Sequence, residues 1–79
     1  MVYPNHFKSN FTIWHYLPPT TLSYINIYNA TGQLVWTKQY TGNASNVMTI
    51  DLGNKSNGMY IMQMGYTNKE LVIEKLIKY

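Results

Sequence analysis

Turn-forming residues recur along this chain at short, even intervals, and the stretches between them are the length of β-strands. "LPPTT", "NATGQ", "TGNASN", "GNKSNG" and "TNK" divide the sequence into segments of strand size. Two adjacent prolines cannot continue a central strand, so the chain must turn or cross over at "LPPTT". In "NATGQ", Gly32 is free to adopt positive φ. Apolar residues alternate within the segments. Phe11 alternates with Ile13, and Ile25 and Ile27 alternate against Tyr24, Asn26 and Tyr28. Met48, Ile50 and Leu52 fall on one face opposite Val47, Thr49 and Asp51, while Tyr60, Met62, Met64 and Tyr66 share one side of "MYIMQMGY". A period of two is the pattern of a half-buried strand. With "LVWTKQY" as a further strand, the reading is all-β: a sandwich of about six or seven short strands with turns every eight to twelve residues or so. Ile25, Ile27, Ile50, Leu52, Tyr60 and Met62 are the expected core.

The last segment, "ELVIEKLIKY", fits two patterns. As a helix it places Val72, Ile73, Leu76 and Ile77 in one stripe; as a strand neither face is clean. A strand is favoured, because the preceding "TNK" turn is hairpin-short and ten or so residues make a marginal helix. A bulge near Glu74 would let both Ile73 and Leu76 point inward.

At 79 residues the chain is read as a single small domain, residues 1–79. A domain of this size buries only about 60% of the surface its unfolded chain exposes, so the core is thin. There is no cysteine, which excludes disulfides and thiolate zinc sites. Six lysines, no arginine and three acids give a net charge of +3. The lysines are dispersed, and the clustered Arg and Lys of a nucleic-acid interface are missing. No apolar run of about 18 residues could span a bilayer as a helix, and the opening lacks the apolar stretch of a secretory signal.

Little in the sequence carries chemistry. General acid–base work needs paired ionisable groups in a cleft, whereas Asp51 stands on a strand and Glu70 and Glu74 lie in the last segment with no motif joining them. His6 and His15 lack a third ligand at a metal-binding interval. Met59, Met62 and Met64 read as core filling. No catalytic, metal-binding or cofactor-binding residue is assigned, and the chain is not read as an enzyme. Trp14, Trp36 and the eight tyrosines allow an alternative: aromatic faces stack on sugar rings, as in a carbohydrate-binding module appended to a secreted hydrolase. Against it, a thin core needs its tryptophans as filler.

Four pieces nevertheless occur in a distinctive order: "VYPNHF" at the opening, "INIYNATGQLVW", "IDLGNKSNGMYIMQM", and "EKLIKY" at the close. Together they resemble the C-terminal sorting domain of the type IX secretion system of Bacteroidota, and the resemblance covers essentially the whole sequence. It implies a small immunoglobulin-like antiparallel β-sandwich joined to an upstream cargo domain. It also implies passage through the periplasm to the cell surface or medium, with recognition by an outer-membrane translocon, a shuttle protein and a surface sortase. By the same resemblance, Pro4 and Asn5 match the opening motif and Gly32 the mid-domain turn glycine. Gly58 and Tyr60 match a Gly-x-Tyr motif, and Lys75 and Lys78 the terminal basic motif. The family has a second proline where this chain has His6. Proline restrains the residue before it toward extended backbone, so His6 leaves Asn5 freer than in a typical member. A basic, exposed final strand could be offered to a partner's sheet edge.

Overall fold

The computed structural model describes the chain except for residues 1, 4–5, 15–18 and 43; at 2, 3 and 19 it describes the backbone alone. Among the described residues eight strands are present: β1 (Val2–Tyr3), β2 (His6–Phe7), β3 (Asn10–Trp14), β4 (Leu22–Asn29), β5 (Leu34–Gln39), β6 (Val47–Asp51), β7 (Gly58–Tyr66) and β8 (Leu71–Lys78). The one other element is a 3₁₀ turn at Pro19–Thr21. The strands form a three-stranded sheet in the order β1-β3-β6 and a five-stranded sheet in the order β2-β8-β7-β4-β5. One core cluster joins them, with Phe11, Ile13 and Ile50 from the smaller sheet packed among Ile25, Ile27, Met62 and Leu76 from the larger. This is the expected immunoglobulin-like sandwich.

Each connection follows from its residues. Between β3 and β4 the chain crosses from the smaller sheet to the larger, and Pro19 opens the 3₁₀ turn that precedes β4. Between β4 and β5, Asn29 organises a tight turn: its Oδ1 accepts hydrogen bonds from the N–H groups of Thr31 (3.1 Å) and Gln33 (2.9 Å) and from the Thr31 hydroxyl (2.8 Å). Gly32 then sits at φ +86°, with its N–H donating to the Asn29 carbonyl at 3.0 Å. The β7–β8 hairpin closes with Lys69 at φ 70° and the Glu70 N–H donating to Asn68 Oδ1 at 3.0 Å. Asn68, Lys69 and Glu70 in this short turn join β7 to β8, which pair from Gly58↔Lys78 to Gly65↔Leu71.

All six expected core residues are buried. Phe7 joins them from β2, edge-on to Phe11 with ring centroids 5.1 Å apart. Three expectations change. The strand count rises to eight, because the opening segment contributes two two-residue strands. The sheets are antiparallel except where β2 pairs with β8 in parallel, His6 beside Ile77 and Phe7 beside Lys78. The last segment is a strand, but with no bulge: its register against β7 is continuous. A regular strand cannot turn Ile73 and Leu76 to the same side, since three residues is an odd step. Leu76 is fully buried and Ile73 is 59% exposed. Met59, expected as filling, is likewise only half-buried, one residue out of step with Tyr60, Met62 and Met64.

Candidate functional site

Of the residues that the resemblance singles out, Pro4 and Asn5 lie outside the described residues. The other five fall in two places. Gly58, Tyr60 and Lys78, with the turn that holds Gly32, gather at one end of the sandwich. Lys75 stands apart from them.

At that end, the loop between β6 and β7 lies against the β4–β5 turn, and the two enclose a cleft of about 340 Å³ lined by Asn29, Val35, Lys55, Asn57, Met59 and Tyr60, among others. Gly58 starts β7 at φ +144° with nothing within 4 Å of where a Cβ would stand. Its requirement for glycine is therefore conformational: side-chain-bearing residues rarely adopt that backbone. Two residues further along β7, Tyr60 is buried between Asn29 of β4 and Leu76 of β8, and its hydroxyl donates to the Ser56 carbonyl. The buried ring thus holds the polar loop by its one polar atom, as a buried tyrosine usually does.

Lys78 corrects the expectation of an exposed basic tail. Only 7% of it is accessible. It pairs with Gly58 on one side and Phe7 on the other, and its Nζ donates to Asn57 Oδ1 at 3.0 Å. The physical reason is parity. Lys75 and Lys78 are three residues apart on one regular strand, so their side chains leave opposite faces. Lys78 goes inward with Leu76, where its stem packs along apolar surface and its ammonium reaches the loop. Lys75 goes outward, opposite Ile61, and is exposed. The edge expected to be open is also part-covered, because β2 lies along β8 at Ile77 and Lys78 and the Tyr79 N–H donates to the Phe7 carbonyl at 2.9 Å.

The Lys78–Asn57 bond and the closing of the β4–β5 turn by the Asn29 side chain were not singled out from sequence, although the turn itself was. The Asn29–Gly32 signal was present, since asparagine two residues before a Thr-Gly pair is a standard side-chain-closed turn. The Lys78 partner had no signal, because it depends on which loop the last strand passes. Trp14 and Trp36 do not share a surface. Trp36 packs against the core from β5 and Trp14 is 41% exposed at the end of β3. Among the described residues, no three His, Asp or Glu side chains gather where they could hold a metal ion. Among the same described residues, no helix is long and apolar enough to cross a membrane.

Fold and surface together define a small all-β sandwich whose distinctive residues build turns, a loop clamp and strand faces. The chain belongs to the family of secretion system C-terminal sorting domains of the type IX pathway, whose sequence pattern matches residues 1–79. Neither the curated proteins nor the solved structures gave a match. Membership of this family implies recognition by the secretion machinery and export to the cell surface or medium. The family is one of sorting signals and not of enzymes.

Proposed function

We propose that this chain works as an export label with no chemistry of its own. It is recognised by folded-surface contacts and directs an attached cargo domain through the periplasm and across the outer membrane to the cell surface or medium. The observation that carries this reading is the family match across all of residues 1–79. The translocon, shuttle protein and surface sortase of the type IX system are its proposed partners. Nothing in the fold favours the carbohydrate-binding alternative.

Within this reading the motif residues divide by role. Gly32, Gly58, Tyr60 and Lys78 act by building the loop end of the sandwich, since each is engaged in a turn, a strand start or an internal hydrogen bond. Lys75 is the motif residue available to a partner, being exposed on a sheet face. Pro4 and Asn5 are proposed as recognition residues on family pattern alone. The test fuses residues 1–79 behind a reporter that carries a periplasmic signal, in a host with type IX machinery. The reporter is expected at the cell surface or in the medium. A reporter retained in the periplasm, with its sorting domain folded, would refute the assignment.

A further inference from the structure

The two outer faces of a sandwich normally meet water and are polar. The smaller sheet conforms along most of its length: Asn10 pairs with Asp51, and Thr12 with Thr49, whose hydroxyls approach to 3.4 Å. The β4–β5 half of the larger sheet conforms in part, with Asn26 beside Thr37 and the Thr37 hydroxyl donating to Asn26 Oδ1 at 2.6 Å, while Tyr24 and Tyr28 stand on the same side of β4. The β7–β8 half does not. Its outward positions pair Met59 with Ile77, Ile61 with Lys75, Gln63 with Ile73 and Gly65 with Leu71. Ile73 is 59% and Leu71 48% exposed.

We infer that this outer face of β7 and β8 is the surface by which the domain docks on a component of its export machinery, through apolar side chains that surround a carboxylate aimed at Lys75. The inference rests on the sorting reading and adds to it a place and a chemistry. Three observations select this occupant. Charge is the first: Lys75 lies within the patch, and among the outward positions of these two strands it is the only ionisable side chain. Glu74 leaves the opposite face and Glu70 belongs to the turn. A partner must therefore supply the anion, and specificity comes from that one pairing on an apolar ground.

Area is the second. Two strands about 4.8 Å apart, with side chains overhanging an edge, and about eight residues long at about 3.3 Å each give a patch on the order of 300 Å². A stable interface takes about 800 Å² from each partner. The patch suits a contact that forms and releases, as a label handed between machines requires, and it is too small for a lasting dimer. The third is symmetry. A two-fold pairing of the patch with its own copy would bring two Lys75 side chains into one interface that offers neither an anion, because each copy contributes the same surface.

The test uses the reporter fusion with residues 1–79. The double variant Ile73→Ser/Lys75→Glu is compared with Lys75→Arg, and with Thr49→Lys on the other sheet as a surface control. Each variant's melting curve is recorded on the purified fusion. Export of the double variant is expected to fall by about tenfold or more, the loss that follows from removing a central contact, with melting unchanged. Thr49→Lys is expected to export like the parent, and Lys75→Arg, which keeps the charge, to export more than the double variant does. A photo-crosslinking side chain at position 73 in the otherwise parental chain provides a second readout that loss of folding cannot imitate, and an adduct with a protein of the export machinery is expected. Parental export of the double variant would overturn the inference while leaving the sorting reading intact. An adduct only with the cargo or with a second copy would do the same. A parental fusion that never leaves the periplasm would remove the sorting reading first, and this surface with it.

Discussion

The two lysines of the last strand make a matched experiment, since they share a strand and differ in side. Lys78→Met keeps most of the buried stem and removes only the ammonium donor to Asn57. A hydrogen bond to a charged group contributes about 1.5–3 kcal/mol. Asn57 is exposed, so its oxygen returns to water and the loss falls at the low end, about 1.5 kcal/mol. Lys78→Ala also deletes three methylenes, worth about 0.8 kcal/mol each when buried. Against that total, the unfolded chain no longer loses about 2 kcal/mol of lysine rotamer freedom on folding. The net cost is about 2 kcal/mol, which for a domain of this size lowers the melting temperature by about 8–16 °C. Lys75→Ala is exposed and leaves melting nearly unchanged, because solvent already screens and satisfies its charge. The assay is thermal and urea unfolding of the purified domain followed by far-ultraviolet circular dichroism, with each variant beside the parent. A Lys78→Ala variant that melts with Lys75→Ala would refute the internal role of Lys78. A Lys78→Met variant as damaged as Lys78→Ala would show that the stem contributes nothing.

Ile27 is fully buried between Trp36 and Met62 on neighbouring strands, and Ile27→Ala is expected to cost about 2–5 kcal/mol by urea denaturation. Gly58→Ala meets no clash but forces an alanine to φ +144°; a loss of about 1–3 kcal/mol is expected, and a neutral result would mean that the strand start relaxes. Burial raises the Tyr40 pKa above its usual 10.0, so the unfolded state releases this proton before the folded state does. Its contribution is therefore complete below pH 10.0 and is lost as pH rises through the folded value. Urea midpoints taken from pH 8 to 11, about the range needed, should fall less steeply in Tyr40→Phe than in the parent, and equal slopes would refute the assignment.

The core was legible because burial follows a period of two: Ile25, Ile27, Ile50, Leu52, Tyr60 and Met62 could be placed inward from alternation alone. The turns were legible because Gly32 and Gly58 need backbone that other residues avoid. Two kinds of information were not local and could not be read. One is partnership, since nothing in "KLIKY" says that Lys78 will pass Asn57. The other is the destination of a strand that is apolar on both faces. "MYIMQM" and "LVIEKLI" carried that signal, but a buried strand and a strand with an exposed apolar face look alike until the layers are counted. With only two sheets among the described residues, the outer face of β7 and β8 has no third layer above it, and the Tyr24 ring covers only Gly65.

The parallel pairing of β2 with β8 has a kinetic consequence. His6 and Ile77 meet in register, and closing a loop of about 70 residues costs about 2.5 kcal/mol more chain entropy than closing a four-residue hairpin. The β7–β8 and β4–β5 hairpins can therefore form early, while the short β2 strand joins only after most of the sandwich has condensed around it. Contacts made that late are absent from the barrier, so weakening them speeds unfolding more than it slows folding. Phe7, buried against Phe11 and bonded through its carbonyl to Tyr79, acts as a latch. Its contribution is to how long the finished domain stays shut, more than to how quickly it closes.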